Sequence, residues 1–343
     1  MAGLRTGVIG VGMMGSNHVR VLQSLDGIDL VGVTDPAGDV HGAARGVLVL
    51  PDVDTLIAQG LDLCVVAVPT DYHREVALAL ASAGVHTLIE KPLAADSASA
   101  AELVQAFDSR GLVGCVGHIE RYNPALIALR ARLDAGELGE VYQVATRRQG
   151  PFPNRIADVG VVKDLATHDL DLTAWVTRRN YRTVAAQTVN TILREHEDLV
   201  AVVAQLDDGV VANHLVNWLS PMKERLTVVT GTKGCFVADT LAADLTFVKN
   251  GAVAPSWDTI ARFRGVTEGD MTRFAIPKRE PLRSELEAFR DAVLGLPADV
   301  VTLEQGMAAI IVAEACIEAA RTGRSVTIGL ATAGTLAART AGV

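Results

Sequence analysis

The first third of the chain alternates short apolar runs with helical patterns, and this alternation restricts the fold more than any other feature. It predicts parallel strands joined by crossover helices, and most runs have the unbroken apolar character of strands buried on both faces. The helical stretches 71–83 and 96–110 end at Gly84 and Gly111, where a left-handed residue stops a helix. Six strands are predicted: Arg5 to Ile9, Asp29 to Val33, Gly46 to Val49, Leu63 to Val68, His86 to Ile89 and Leu112 to Val116. The sequence therefore predicts a doubly wound parallel sheet that ends near Gly117.

After Gly117 the pattern changes, because six further apolar runs follow one another with few helices between them. Consecutive strands favour antiparallel pairing, and the turn-rich residues 207–209 indicate a hairpin. Two helices, 282–294 and 303–321, close the pattern. The predicted strands are Val141 to Thr146, Thr183 to Val189, Leu199 to Leu206, Val210 to Trp218, Arg225 to Val229 and Cys235 to Ala238. We predict a second, α+β domain with a largely antiparallel, open sheet.

Length and composition limit the kind of protein. A chain of 343 residues fits about two domains, which we predict at residues 1–119 and 120–343. The formal net charge of −9 repels polyanions, so nucleic acid is not expected as a partner. The four cysteines lie far apart without C-x-x-C spacing, which favours a reducing cytoplasm over a disulfide framework or structural zinc. No run approaches the roughly 18 apolar residues of a membrane span, and no signal peptide or membrane partner is expected.

A glycine-rich loop follows the first predicted strand. Gly10, Gly12 and Gly15 form G-x-G-x-x-G between a strand and a helix, where backbone can approach a pyrophosphate closely. Asp35 ends the second strand 20 residues after Gly15, where a carboxylate accepts both ribose hydroxyls of an adenosine and repels a 2′-phosphate. The alternative is a plain strand-to-helix turn, with Asp35 as an ordinary turn residue. Together the loop and the acid predict a Rossmann domain that binds NAD.

Two further segments carry residues suited to chemistry. Glu90, Lys91 and Pro92 come at the carboxyl end of the fifth strand, where ligands of open α/β sheets bind. Asp164 and His168 are four residues apart and therefore share one face of a helix. The alternatives are a solvated lysine in a loop and a surface or capping pair. No metal is expected, because the adjacent residues 195–198 cannot all converge on one ion and are interpreted as a solvated charged turn.

These motifs, with Val68-Pro69-Thr70 and His73 between them, resemble the Gfo/Idh/MocA oxidoreductases over nearly the whole chain. The resemblance implies that Lys91, Asp164 and His168 are the catalytic residues. It also implies an NAD-binding set made of Gly10, Gly12, Met13, Met14, Gly15, Asp35, Pro69, Thr70, His73, Glu90 and Lys91. Homodimers or homotetramers formed through the open face of the second sheet are a further implication of the resemblance.

Two stretches, 117–124 and 147–162, resemble the branch that contains the NAD-dependent UDP-N-acetylglucosamine 3-dehydrogenases. The arginines at 147, 148 and 155 precede the predicted catalytic helix, and arginine forks match phosphate oxygens. An exposed basic strand end is the alternative, and a buried structural role is the alternative for His118. The expected substrate-binding residues are His118, Asn123, Arg148, Arg155, Asp164 and His168.

The implied reaction is the oxidation of a secondary alcohol, at C3 of a nucleotide-linked amino sugar. The residues alone leave open whether Lys91 or His168 takes the hydroxyl proton. The resemblance, and the titration of an imidazole near neutrality, favour His168. Lys91 would stabilise the negative charge on that oxygen, and Asp164 would orient the sugar. The alternatives are a dehydrogenase of a free sugar or inositol, a ketoreductase working in reverse, and a non-catalytic protein that senses NAD.

Overall fold

The computed structural model describes residues 3–40, 42–153, 159–191, 195–251 and 268–329. These residues fall into two compact units. The first unit takes its described residues from 1–119 and 280–311, and the second takes them from 120–279 and 312–337. Each unit has its own sheet and its own apolar core.

The first unit is built on a six-stranded parallel sheet with the order β3-β2-β1-β4-β5-β6. Its strands are β1 (Leu4–Ile9), β2 (Ile28–Thr34), β3 (Val49–Leu50), β4 (Leu63–Val66), β5 (His86–Glu90) and β6 (Gly114–Gly117). The order of strands reverses between β1 and β4, and ligands of such sheets bind outside the carboxyl ends at this switch point. The predicted doubly wound Rossmann sheet is confirmed.

Crossover helices connect these strands. They are α1 (Met13–Leu22), α2 (Val53–Ile57), α3 (His73–Ser82) and α4 (Ser97–Asp108). The starts of α2 and α4 are fixed by Asp52 and Asp96, whose carboxylates accept the amide hydrogens of Thr55 and Ser99 at 2.7 Å. Such caps satisfy donors that a helix start leaves unpaired.

A later helix completes the core of the first unit. Helix α7 (Pro281–Val293) buries Leu282, Leu286 and Phe289 against residues of β1, β4, β5 and α1. The backbone of Val301 also accepts a hydrogen bond from the amide of Val116 on β6, at 2.9 Å. Residues 280–311, which the sequence analysis assigned to the second domain, therefore belong to the first unit. The reason is that the apolar side of α7 packs on this core and not on residues close to it in the sequence.

The second unit contains a nine-stranded sheet with the order β14-β13-β12-β11-β7-β10-β9-β8-β15. Its strands are β7 (Val141–Pro151), β8 (Tyr181–Val189), β9 (Leu199–Leu206), β10 (Val211–Asn217), β11 (Leu219–Gly231), β12 (Gly234–Asp239), β13 (Asp244–Asn250), β14 (Glu268–Arg273) and β15 (Val326–Thr327). All neighbours pair antiparallel except β7 and β10, which are parallel. Buried and exposed residues alternate along β9, so one face of the sheet is covered and the other is open.

Helices α5 (Pro124–Asp134) and α6 (Thr167–Thr177) cover the closed face. Their buried residues, among them Leu126, Leu129 and Leu172, pack on Phe236 and Leu245 of the sheet. Helix α8 (Leu303–Thr322) follows α7 in the chain. The predicted α+β domain with a largely antiparallel sheet is confirmed.

The sequence analysis underestimated the second sheet. Strand β11 begins at Leu219 rather than at Arg225, and its register shifts between Leu219 and Glu224, where Pro221 and several polar residues hide the apolar alternation. Strands β13, β14 and β15 were not predicted. Within the described ranges, no helix has the length and apolar character needed to cross a membrane. A search of the same ranges finds no cluster of three or more metal-ligating side chains.

Candidate active site

The three glycines of the loop after β1 serve different purposes. Gly10 has a φ of +89°, and a Cβ placed there would lie 2.5 Å from the carbonyl oxygen of Ala67. A Cβ on Gly15 would lie 1.8 Å from the carbonyl oxygen of Gly10. A Cβ on Gly12, in contrast, would meet nothing within 4 Å. Gly10 and Gly15 are thus required by the fold of the loop itself, whereas Gly12 leaves its backbone open to an approaching ligand.

The start of α1 faces this opening. Gly12 is the N-cap of the helix, and no side chain accepts the first amide hydrogens. Met13 and Met14 are the first two helical residues, and the side chain of Met13 is exposed. Amide donors and the positive end of the helix dipole make this position suitable for a diphosphate.

Asp35 lies beside the loop at the end of β2. One carboxylate oxygen accepts the amide hydrogen of Val11 at 2.9 Å, and the other accepts that of Ala37 at 2.9 Å. These two bonds fix the carboxylate, and each oxygen keeps a lone pair for a hydroxyl donor. The loop and the acid together fit the pyrophosphate and adenosine ribose of NAD.

His73 is buried rather than presented to a ligand. Its Nδ1 lies 2.9 Å from the carbonyl oxygen of Pro92, and its Nε2 lies 3.0 Å from that of Val68. Burial lowers the pKa of His73, although the two carbonyl groups oppose this shift. The ring therefore joins the loop after β5 to the loop that carries Pro69 and Thr70. Direct contact of His73 with NAD stays a prediction.

Glu90, also expected to bind the cofactor, lies inside the first unit. Its Oε1 is 2.7 Å from Nε2 of His18 on α1, and its Oε2 accepts the amide hydrogen of Lys91 at 3.3 Å. Burial raises the pKa of Glu90, but the hydrogen bond from His18 and the nearby positive charges outweigh burial, so the pKa lies below its ordinary value. A Cβ on Gly117 of β6 would lie 3.2 Å from this carboxylate. Lys91 itself is half-buried and precedes a cis peptide bond to Pro92.

Asp164 and His168 come from a locally widened helix. Residues Val162–Ala166 form a π-helix, closed by the amide of Thr167 donating to the carbonyl of Val162, and α6 continues from Thr167. Asp164 lies in the π turn, His168 is the second residue of α6, and both are half-buried. The sequence predicted an ordinary helix here. Single π turns inside helices occur frequently at functional sites.

Glu197 fixes the beginning of this helix, a role that the sequence analysis missed. Its Oε1 accepts the amide hydrogen of Val162 and its backbone carbonyl accepts that of Val161, both at 3.0 Å. A Cβ on Gly160 would overlap the same carboxylate. Neighbouring Asp198 is fully buried and accepts the amide hydrogen of Thr191 at 2.7 Å. The interpretation of residues 195–198 as a solvated turn was wrong for these two acids.

The charge of Arg148, expected to bind substrate, is paired with two carboxylates. Its guanidinium is buried, with Nε 2.7 Å from Asp169 and Nη1 3.0 Å from Glu120. Burial lowers the pKa of Arg148, but the two carboxylates outweigh burial and raise it, so the arginine stays charged. Arg147 points to the other side of β7, where it pairs with Glu224 at 2.7 Å. Arg155 lies outside the described residues.

Arg225 on β11 is the arginine that the sequence analysis overlooked. It pairs directly with Arg148 across the strands, so both side chains lie on one face of the sheet. Nη1 donates to the carbonyls of Gln149 and Glu224, and the structure gives Nε and Nη2 no acceptor among the described residues. Burial and the charge of Arg148 lower the pKa of Arg225, whereas nearby carboxylates, Asp164 among them, oppose this shift.

Asn123 and His118 are both buried. The side-chain oxygen of Asn123 accepts the amide hydrogen of Ala125 at 3.1 Å, and its nitrogen donates to the carbonyl of Thr240 at 3.0 Å. Asn123 therefore caps α5 rather than offering these atoms to a sugar, and Pro124 at the first helical position was the signal for that role. The burial of His118 agrees with the structural role that the sequence analysis kept as an alternative.

Comparison with known proteins defines the class of this chain. Residues 4–118 match the model of the oxidoreductase family with an NAD-binding Rossmann fold, and residues 126–237 match the Gfo/Idh/MocA C-terminal domain. The chain is 31% identical over 296 residues to UDP-N-acetylglucosamine 3-dehydrogenase of Acidithiobacillus ferrooxidans, covering 85% of this chain and 90% of the relative. It is 28% identical over 342 residues to inositol 2-dehydrogenase 2 of Saccharopolyspora erythraea, covering 96% of each chain.

Solved structures agree with this class. The crystallised UDP-N-acetylglucosamine 3-dehydrogenase GnnA from A. ferrooxidans superposes with a TM-score of 0.81 at 29% identity, covering 94% of this chain and 99% of that one. GenD2 from gentamicin A biosynthesis, solved in complex with NAD, gives a TM-score of 0.79 at 25% identity, covering 96% of this chain and 97% of that one. The protein is an oxidoreductase that uses NAD to act on CH–OH groups. It belongs to the Gfo/Idh/MocA family.

Proposed function

We propose that the protein oxidises the C3 hydroxyl of a nucleotide-linked amino sugar such as UDP-N-acetylglucosamine. The observation that carries this proposal is the presentation of Asp164 from a π turn and of His168 from the helix that continues it, with Arg225 on the same unit. The 31% identity to a UDP-N-acetylglucosamine 3-dehydrogenase supports the choice of substrate. The complete set of Lys91, Asp164 and His168 favours an enzyme over a protein that only senses NAD.

The residues of this chain divide the work in the following way. The amides at the start of α1 hold the pyrophosphate of NAD, and Asp35 accepts the ribose hydroxyls. When bound, NAD supplies the acceptor for the hydride. His168 takes the hydroxyl proton, since histidine is the side chain most often used for proton transfer in catalysis. Lys91 stabilises the negative charge that develops on the oxygen, and Asp164 orients the sugar.

Arg225 replaces Arg148 as the candidate for the charged part of the substrate. It lies on the sheet face that also carries the Arg148 cluster, and two of its nitrogens keep hydrogens for an acceptor. An arginine can donate two parallel hydrogen bonds to a phosphate. We therefore assign the diphosphate of the nucleotide sugar to Arg225. Arg225→Met is expected to raise the KM for the nucleotide sugar and to leave the KM for NAD unchanged.

A polyol dehydrogenase is the second candidate, because inositol 2-dehydrogenase 2 is similar over 96% of both chains. NADH formation measured with UDP-N-acetylglucosamine, free N-acetylglucosamine and myo-inositol separates the two. The proposal requires turnover of the nucleotide sugar well above that of the other two compounds. A preference for myo-inositol would assign the protein to the second candidate. Measuring reduction of the matching keto compound with NADH tests whether the protein works as a ketoreductase.

The open face of the nine-stranded sheet supports a homodimer or homotetramer. Val189, Val203 and Val211 share this face on three adjacent strands, and Val203 is 58% exposed. An apolar patch of this kind is favourable to cover. We also place the protein in the cytoplasm, because all four cysteines are free thiols. Light scattering of the purified protein measures the number of subunits.

A further inference from the structure

Three titratable side chains are buried within the first unit, and one of them directly precedes Lys91 in the chain. They are Glu90 on β5, His18 on α1 and Glu285 on α7. Their exposed fractions are 8%, 0% and 1%. Burying three titratable side chains in an apolar core costs stability, so packing alone does not explain their presence. The reaction described above uses none of them directly.

His18 has one partner and one open position. Its Nε2 lies 2.7 Å from Oε1 of Glu90, whereas its Nδ1 is buried and has no hydrogen-bond partner within the described part of the chain. A neutral imidazole carries one N–H and one acceptor nitrogen. Because an ionised carboxylate only accepts hydrogen bonds, the bond to Glu90 requires the hydrogen on Nε2. In a neutral ring, that arrangement makes Nδ1 a buried acceptor that needs a donor.

Glu285 is a buried donor that needs an acceptor. Neither of its carboxyl oxygens has a hydrogen-bond partner among the residues described. Burial, and then the negative charge of Glu90, raise the pKa of Glu285 well above its ordinary value, which favours the protonated acid. The residues beside it on the buried face of α7 are Leu282, Leu286 and Phe289. An apolar residue would suit this position better than an acid if packing alone mattered.

We propose that Glu285 and His18 are positioning residues that hold Glu90 as an ionised carboxylate next to Lys91. The carboxyl O–H of Glu285 donates to Nδ1 of His18, through one intervening water or after rotation of its side chain. His18 is thereby fixed as the Nε2–H tautomer, and its N–H bonds to Glu90. Glu90 in turn supplies a constant negative charge beside the ammonium group of Lys91. This inference rests on the proposed role of Lys91.

Other titratable groups near Glu90 and Glu285 fit this arrangement. His73 on α3 and Lys91 act on Glu90 from its other sides, and both favour its ionised form. Cys115 on β6 also interacts electrostatically with Glu285, and burial keeps that thiol protonated by raising its pKa. Gly117 leaves the room that the Glu90 carboxylate occupies, since a Cβ there would lie 3.2 Å from Oε2.

A nitrogen NMR spectrum of the protein labelled at histidine tests the tautomer without any substrate. The His18 signals are assigned by their loss in His18→Gln. We expect the pattern of a neutral ring protonated at Nε2 in the wild type and in Glu285→Gln, whose amide N–H can replace the acid as donor. In Glu285→Leu we expect the Nδ1 signal of His18 to shift, because no donor then faces that nitrogen. A wild-type ring protonated at Nδ1, or at both nitrogens, would overturn the proposal whether or not the substrate assignment is correct.

Activity and stability of the same variants give a second test. Glu285→Leu is expected to unfold at a higher temperature than the wild type and to turn over roughly tenfold more slowly, below the 10²-fold or more expected of a direct acid or base. As the pH is lowered, Glu285→Leu is also expected to lose activity at a higher pH than the wild type does, because Glu90 without a fixed partner takes up a proton more readily. Glu285→Gln should keep the wild-type rate and pH profile. Glu287→Gln, on the same helix but bonded to Arg283 at the surface, is the matched control.

The outcomes separate the possible roles. If Glu285→Leu gains stability and keeps the wild-type rate and pH profile, Glu285 only fills space and the proposal is wrong. If Glu285→Gln loses as much activity as Glu285→Leu, the acid acts as more than a neutral donor and the proposal is equally wrong. Binding of NAD should be the same in Glu285→Leu, Glu285→Gln and Glu287→Gln.

Discussion

The loop after β1 and the helix start at Asp164 both present functional groups, but they are built in opposite ways. In the loop, the geometry comes from the backbone of adjacent residues: Gly10 and Gly15 fold the turn and Gly12 opens it. At Asp164, the helix is held by Glu197, which comes more than 30 residues later. A site built from neighbouring backbone can be read from sequence, whereas a site built from distant side chains cannot.

The largest effect that tests this difference concerns Arg148. Arg148→Met should destabilise the protein by about 3–5 kcal/mol, because it leaves the buried carboxylates of Asp169 and Glu120 without their cation. Chemical denaturation measures this loss. Arg147→Met, the exposed neighbour on the same strand, should cost at most about 1 kcal/mol. A stable Arg148→Met protein that no longer binds the nucleotide sugar would restore the phosphate role predicted from sequence.

The next effect concerns the catalytic assignment at the π turn. His168→Ala should lower turnover at least about 10²-fold, the lower end of the contribution expected of a general base. Binding of NAD, followed by quenching of protein fluorescence, should not change, because the loop and Asp35 belong to the other unit. A rate equal to that of the wild type would remove His168 from the reaction.

Two glycine variants test which glycines of the loop after β1 are needed for folding and which for binding NAD. Gly12→Ala has room for its Cβ and should keep the wild-type free energy of unfolding to within about 0.5 kcal/mol, but it should bind NAD at least roughly tenfold more weakly. Gly15→Ala forces a Cβ against the carbonyl of Gly10 and should cost at least about 2 kcal/mol of stability. Equal losses of stability in both variants would show that Gly12 also serves the fold.

The extent to which sequence predicted the molecule follows from the same distinction. The parallel sheet, the glycine loop and Asp35 were found because their signals are local and regular. The placement of α7 was missed because its apolar face packs on β1, β4 and β5, which come far earlier in the chain. The partners of Arg148, Asn123 and Glu90 were not predicted, because each of these partners comes from another element of the fold. Only three-dimensional structure shows which charged residues are already paired.

The smallest effect comes from His214, a polar residue in the closed face of the second sheet. It is fully buried between the hydroxyl of Thr146 at 2.8 Å and that of Tyr181 at 3.0 Å, and burial lowers the pKa of His214 to about 4. The unfolded chain therefore binds a proton on this ring at a higher pH than the folded protein does. The stability due to neutral His214 is complete above about pH 6.5 and decreases as the pH falls toward 4.

This shift predicts a loss of about 1 kcal/mol of stability between about pH 7 and about pH 5.5 from His214 alone. Denaturation of the wild type and of His214→Gln at both pH values measures the contribution, because glutamine can bond to both hydroxyls without titrating. The variant should be less sensitive to acid by that amount. If both proteins lose stability equally, the hydroxyls of Thr146 and Tyr181 accommodate a charged ring, and this part of the second core is more polar than its burial indicates.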